Sequence, residues 1–262
     1  MRRDILAAII GRDWEETIRN RLLLATILIP PVVLTIVPLI AGSLIEDRQL
    51  PGSIATTIVS QRPEWASLTQ RELTAAFGIQ QFLVFFLMLP AYIPLAIASY
   101  SIVGEKTSHS LEAVLAAPIR TLELLTGKAV AALLPGVLAG WLTYVAFVIL
   151  TGVIYGPRLM GVVTDGSWLV GAFLLGPAIG LASVVAGVIV SARVNDPRTA
   201  QQIGGIVIVP LVGIAVVQAS GTVIFGATGY AITAAIVFVV AAIGLRVGVR
   251  LFGRESILTR WR

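Results

Sequence analysis

The sequence predicts an all-α membrane protein. It has about six transmembrane helices, an N-terminal amphipathic interfacial helix, a short cytoplasmic helix between spans two and three, and both termini in the cytoplasm. Three observations carry this reading. The chain is 57% apolar and 13% charged, against roughly 45–50% and about 25% in soluble domains. Charge is absent from runs 22–45, 73–103, 129–157, 166–192 and 199–245, each longer than the ~20 residues a helix needs to cross the hydrocarbon. Finally, six spans put fifteen of the nineteen Lys and Arg residues on one side of the membrane. Basic residues collect on the cytoplasmic side, so an even span number with both ends inside satisfies the count. Residues 1–262 form a single transmembrane domain.

Each element follows in order. The arm 1–21 mixes charge with Ile5, Leu6, Ile9, Ile10, Trp14 and Ile18 at helical spacing, which predicts an amphipathic helix lying in the interface with Trp14 at headgroup level. Its apolar stretch is broken by Arg12-Asp13 and is too short for a signal peptide. The first span carries Pro30, Pro31 and Pro38. The external loop 46–72 is too short for a folded domain, and Trp65 is expected to anchor it at the outer interface. Run 73–103 exceeds one crossing and leaves room for an interfacial turn. Spans three and four are 129–157 and 166–192. Asp196 and Pro197 read as N-cap and N1 of span five. Run 199–245 is about 70 Å long as a helix, enough for two crossings, with a turn across 220–230; one helix plus a re-entrant piece would make five spans. The tail 246–262 is cytoplasmic. Prolines 90, 94, 135, 177 and 210 are expected to kink their helices. The glycine pairs 136/140, 152/156, 176/180 and 244/248 are expected to let helices approach closely.

The apolar runs exclude several functions. They hold no Asp, Glu, Lys, Arg or His, which argues against a proton relay and against a base for an intramembrane serine nucleophile. The single histidine, His109, lies in a loop, so a His-rich metal site is not expected. Gly127-Lys128 lacks both the upstream glycine and the following Ser or Thr of a phosphate-binding loop. The chain is therefore expected to be non-enzymatic and to bind no cofactor itself. The basic balance is a sidedness signal and implies no nucleic acid.

Segment 104–128 reads G-E-K-T-S-H-S-L-E-A-V-L-A-A-P-I-R-T-L-E-L-L-T-G-K, two short helices broken at Pro118. In the first, Ser108 or Ser110 caps, Glu112 lies in the first turn, and Leu111, Val114 and Leu115 form an apolar stripe. In the second, Thr121 caps and Glu123 follows. Such a helix either lies in the interface or docks into a partner's groove.

The loop resembles the cytoplasmic loop of permease subunits of type-2 ATP-binding-cassette exporters. The matching residues are Gly104, Glu105, Lys106, Ser110, Leu111, Glu112, Leu115, Pro118, Ile119, Glu123, Leu124, Leu125, Gly127 and Lys128. Segment 191–202, S-A-R-V-N-D-P-R-T-A-Q-Q, and segment 18–24 also resemble that family. The resemblance implies an exporter whose 104–128 loop is a coupling helix docked on a separate ATPase. The unit would contain two ATPases and a second permease, as a homodimer or a heterodimer, in the cytoplasmic membrane of a prokaryote. ATP and Mg would sit on the ATPase. Docking is then expected from Glu105, Lys106, Ser110, Leu111, Glu112, Val114, Leu115, Pro118, Glu123 and Lys128, with a second contact at Asp196 and Arg198.

The residues also admit a secondary transporter or channel-like protein that works without an ATPase, or a membrane protein that docks a partner and moves nothing. The charge-free spans favour an apolar or amphipathic cargo. Gln80, Gln81, Tyr144, Gln201, Gln202 and Gln218 are the polar candidates for lining its path.

Overall fold

A computed structural model of the chain describes residues 3–45, 50–107, 121–220 and 223–251, all the elements of which are helical. Helix α1 (Arg3–Arg19) precedes α2 (Arg21–Ile45), the first span. A short α3 (Gly52–Gln61) and a 3-10 turn (Pro63–Ser67) lead into α4 (Gln70–Phe86) and α5 (Met88–Thr107), which together make the second span. Helix α6 (Thr121–Tyr155) is the third span. After α7 (Pro157–Val163), the fourth span runs from α8 (Gly166–Val170) through a π stretch (Gly171–Leu175) to α9 (Gly176–Ser191). The fifth is α10 (Pro197–Gly204), a 3-10 stretch (Gly205–Ile208) and α11 (Val209–Ala219), and the sixth is α12 (Ala227–Leu251).

Six segments among the described residues are long and apolar enough to cross a membrane. The run 199–245 holds two of them, because Ala219 ends α11 and Ala227 begins α12. Burial separates the six by role. The Gln70–Thr107 span is 78% buried and the Gly166–Ser191 span 56%, whereas the other four lie between 17% and 28%. Helix α5 is thus the axis of the bundle, with α6 and α9 packed directly against it, α2 against α4 and α6, and α12 against α9. The large apolar side chains left outside suit a bilayer, since hydrocarbon solvates them as well as a core does.

The prolines of the axis fit into glycine seams. A Cβ on Gly136 would lie 2.5 Å from the Pro94 ring, and one on Gly180 would lie 3.0 Å from the Pro90 carbonyl. Gly140 and Gly176 also face Pro90, so one proline meets α6 on one side and α9 on the other. Gly244 packs on Val185. Gly156 departs from the expected pairing. It has φ +83 and nothing within reach of a Cβ, and it serves as the turn into Pro157 at the start of α7. Positive φ costs a residue with a Cβ, so a glycine belongs there.

The π stretch has a local cause. Pro177 has no N–H to return to a carbonyl one turn earlier, and the Trp141 Nε1–H donates to the Ala172 carbonyl at 3.0 Å instead. Beside it, fully buried Trp168 packs on Phe86, Tyr144 and Phe147 with ring centroids 5.4–6.0 Å away.

On the side of the bundle away from α1, α3 and the 3-10 turn form a small cap. Ile58, Trp65, Leu73, Leu159, Val162 and Ile224 make its core. Trp65 is 2% exposed, so it fills this core rather than standing at an interface. Arg62 holds the cap down. Its guanidinium is 2.5 Å from Asp165, donates to the Phe225 carbonyl at 3.1 Å, and lies over the Trp65 ring.

Candidate functional site at the root of the 104–128 loop

Residues 108–120 lie outside the described residues, and with them Ser110, Leu111, Glu112, Val114, Leu115 and Pro118. The described ends of the loop are the last turn of α5 and the first turns of α6. Both meet α1.

Helix α1 presents one stripe to α6. Ile5, Leu6, Ile9 and Ile10 are partly buried, and the same stripe continues into buried Asp13 and Thr17. Gly127 makes the approach possible, because a Cβ there would sit 2.9 Å from the Ile9 side chain. The Trp14 Nε1–H donates to the Ala131 carbonyl at 2.9 Å. The indole expected at headgroup level is a fixed contact between α1 and α6.

Where the stripe turns polar, four side chains converge. The Lys128 ammonium lies 3.0 Å from a Glu105 carboxylate oxygen and 3.4 Å from Asp13 Oδ1. It donates to Ser101 Oγ at 2.6 Å, and the Ser101 hydroxyl donates to Asp13 Oδ2 at 3.0 Å. Arg12, half exposed, reaches the other Glu105 oxygen at 3.5 Å. Asp13, Glu105 and Lys128 are each under 5% exposed. The buried Asp13 and Glu105 carboxylates share the Lys128 ammonium, and half-exposed Arg12, which also pairs with Glu16 at 3.0 Å, adds positive charge at the rim; paired charges of this kind tolerate burial.

The remaining expected residues distribute as follows. Glu123 is buried near the start of α6. Lys106 donates to the Val194 carbonyl at 3.3 Å, tying the end of α5 to the connection between α9 and α10. Asp196 caps α10, accepting from the Thr199 N–H at 2.8 Å and from its hydroxyl at 2.8 Å. These bonds favour the ionised form and hold the Asp196 carboxyl below the usual carboxylate range. Asp196 and Arg198 are exposed, on the same side of the bundle as the loop root.

The polar residues of the spans separate into two groups. Gln80 accepts from the Trp168 indole at 2.9 Å, and the Tyr144 hydroxyl donates to the Val163 carbonyl at 2.8 Å. Gln218 accepts from the Phe225 N–H and the Tyr230 hydroxyl, both at 3.2 Å, and the Gln81 amide donates to the Phe77 carbonyl. The void beside Tyr144 and Trp168 is about 20 Å³, room for one water at most. Gln201 and Gln202 instead line an open groove of about 560 Å³ between α5 and the broken fifth span, with Tyr92, Leu95 and Ile206.

Sequence reasoning passed over Asp13, Ser101 and Arg12. One signal was present, an acidic residue on the apolar stripe of an amphipathic helix.

The model of the ABC-2 family transporter protein matches residues 47–238, well over half of the chain. The chain belongs to the ABC-2 transporter family. No curated protein and no solved structure matches it. It is thus a multi-pass membrane protein and the permease part of an ABC-2 type transporter. The family match spans α3 to the first half of α12 and includes the whole 104–128 loop. Helix α1, which completes the ion cluster, lies before the matched region.

Proposed function

We propose that this ABC-2 permease is the membrane half of an ATP-driven exporter whose motor is a separate ATPase docked on the 104–128 loop. The observation that carries the proposal is that both ends of this loop are fixed at one point on the bundle while the chain supplies no phosphate-binding loop of its own. A displacement of the loop is then delivered to α5, the most enclosed span. In this reading Leu111, Val114 and Leu115 supply docking area, and Lys106, Ser110, Glu112 and Pro118 shape it. Asp196 and Arg198 offer a second contact. The assembly holds two ATPases, with ATP and Mg on them, and a second permease packed on the apolar faces left outside. Both termini are cytoplasmic.

The cargo is apolar or amphipathic. Gln201, Gln202 and Tyr92 in the open groove support a path at that position, while Gln80, Gln81, Tyr144 and Gln218 are bonded within the chain.

The test begins with a mild-detergent pull-down of the tagged chain and mass spectrometry of its companions. A stoichiometric soluble subunit with a G-x-x-x-x-G-K-[ST] loop is expected. In the reconstituted complex, Leu111→Glu with Leu115→Glu abolishes stimulation of that ATPase and leaves membrane insertion intact. Unchanged stimulation refutes the docking assignment. A chain that purifies alone and transports on an ion gradient replaces the ATP-driven reading with an autonomous transporter.

A further inference from the structure

Glu105 stands at the start of the 104–128 loop and Lys128 at its end, and their side chains close the loop's base at 3.0 Å. The third party is Asp13, far away in sequence, bound to the same ammonium and to the hydroxyl of Ser101. Exposed ion pairs open readily and contribute little. A pair this enclosed keeps its geometry, because opening it strands a charge in a poorly polarisable surrounding. The Gly-Lys pair of the loop therefore has two roles here. The absent side chain of Gly127 admits Ile9, and the ammonium of Lys128 fixes the helix that carries it.

We propose that Asp13, Ser101, Glu105 and Lys128 are positioning residues of the coupling loop, a buried ion cluster that makes α1, the end of α5 and the start of α6 move as one body. The inference rests on the docking of an ATPase at 104–128. Without the cluster the two stems of the loop are held only by apolar packing such as that of Ile102 and Leu125, which has no fixed direction and yields to sliding. A push from a partner then shifts one stem past the other and is passed to α5 only in part. With it, the same push tilts α5 and α6 together and carries α1 along the membrane surface.

The test uses the full chain with its captured ATPase in lipid vesicles. Asp13→Asn retains capture of the ATPase and lowers permease-dependent ATPase stimulation and transport at least tenfold. Asp13→Glu recovers half or more. Where Asp13→Asn does not accumulate in the membrane, Ser101→Ala reads the same quantity, because it removes the bridging hydroxyl and leaves every charge in place; a loss of threefold or more is expected. Wild-type stimulation in the variant measured overturns the inference. So does a loss of capture in proportion to stimulation, which makes the cluster an element of folding alone. If the wild-type chain captures no ATPase, the docking reading fails and this inference with it.

Discussion

Replacing Arg62 with methionine removes a guanidinium that is 8% exposed and touches three segments at once. It takes away the Asp165 ion pair at 2.5 Å, the bond to the Phe225 carbonyl at 3.1 Å, the cation over Trp65, and a pair with exposed Glu64 at 3.3 Å that contributes little. Breaking one side of a buried ion pair typically costs 3–5 kcal/mol. Asp165 is 15% exposed and keeps other donors, the Ser167 and Trp168 N–H groups and the Ser167 hydroxyl. Its residual charge is therefore partly satisfied, which places the pair's share at about 2 kcal/mol. The orphaned Phe225 carbonyl adds about 1 kcal/mol. Methionine retains most of the apolar stem against Trp65, so packing loss is small. The assay is reversible unfolding in mixed detergent micelles on wild type, Arg62→Met, Asp165→Asn and the double variant. A coupling energy near 2 kcal/mol between the two positions is expected, roughly a thirtyfold shift in the folding equilibrium. Coupling below about 0.5 kcal/mol refutes the reasoning, because it means that water already screens the pair and that the cap is held by its apolar core and the Ile224 N–H on Gln61.

Two further predictions rest on local geometry. Gly136→Ala drives a Cβ to 2.5 Å from the rigid Pro94 ring and is expected to cost about 1–3 kcal/mol, while Gly161→Ala, inside α7 with nothing within 4 Å, is expected to stabilise by about 0.4–1 kcal/mol; the same detergent titration compares them. The Asp196 carboxyl is held below its ordinary range by Thr199, so its stabilisation of α10 is complete above the unfolded carboxyl pKa and is lost as pH falls through the lowered folded value. Amide protection at Thr199, corrected for intrinsic exchange, is expected to fall across that acidic window in the wild type and to stay flat in Asp196→Asn.

How far the sequence speaks depends on the separation of the partners. The spans are legible because hydrocarbon forbids charge over some twenty consecutive residues, a local rule. The cap at Asp196 is legible for the same reason, since donor and acceptor are three residues apart. The proline and glycine positions announce close packing, yet only the structure pairs Pro94 with Gly136 and Pro90 with Gly180. The ion cluster is the least legible feature. Asp13, Ser101 and Lys128 come from three helices, and each alone resembles an ordinary interfacial polar residue. Trp65 misleads because an aromatic near the end of a span usually meets headgroups, whereas here α3 folds over it and Arg62 covers its face. The loop itself is informative by resemblance, and the family match over 47–238 agrees with that resemblance.

The cluster at the loop root also sets an order of events in biosynthesis. Asp13 leaves the ribosome 88 residues ahead of Ser101 and 115 ahead of Lys128. Until the third span emerges, α1 has no cation from α6 to meet its carboxylate and no glycine seam for Ile9. Until then it is undocked, and as an amphipathic helix it keeps Asp13 solvated only where water reaches its polar side. When Glu105 is delivered, the growing chain holds two carboxylates at this point, and the one cation beside them, Arg12, is shared with Glu16. Only the arrival of Lys128 neutralises the pair and lets the surface helix be drawn into the bundle. A chain stalled before α6 is then left with its first helix undocked and with apolar residues exposed to quality control, so seating of α1 reports that the third span has been inserted.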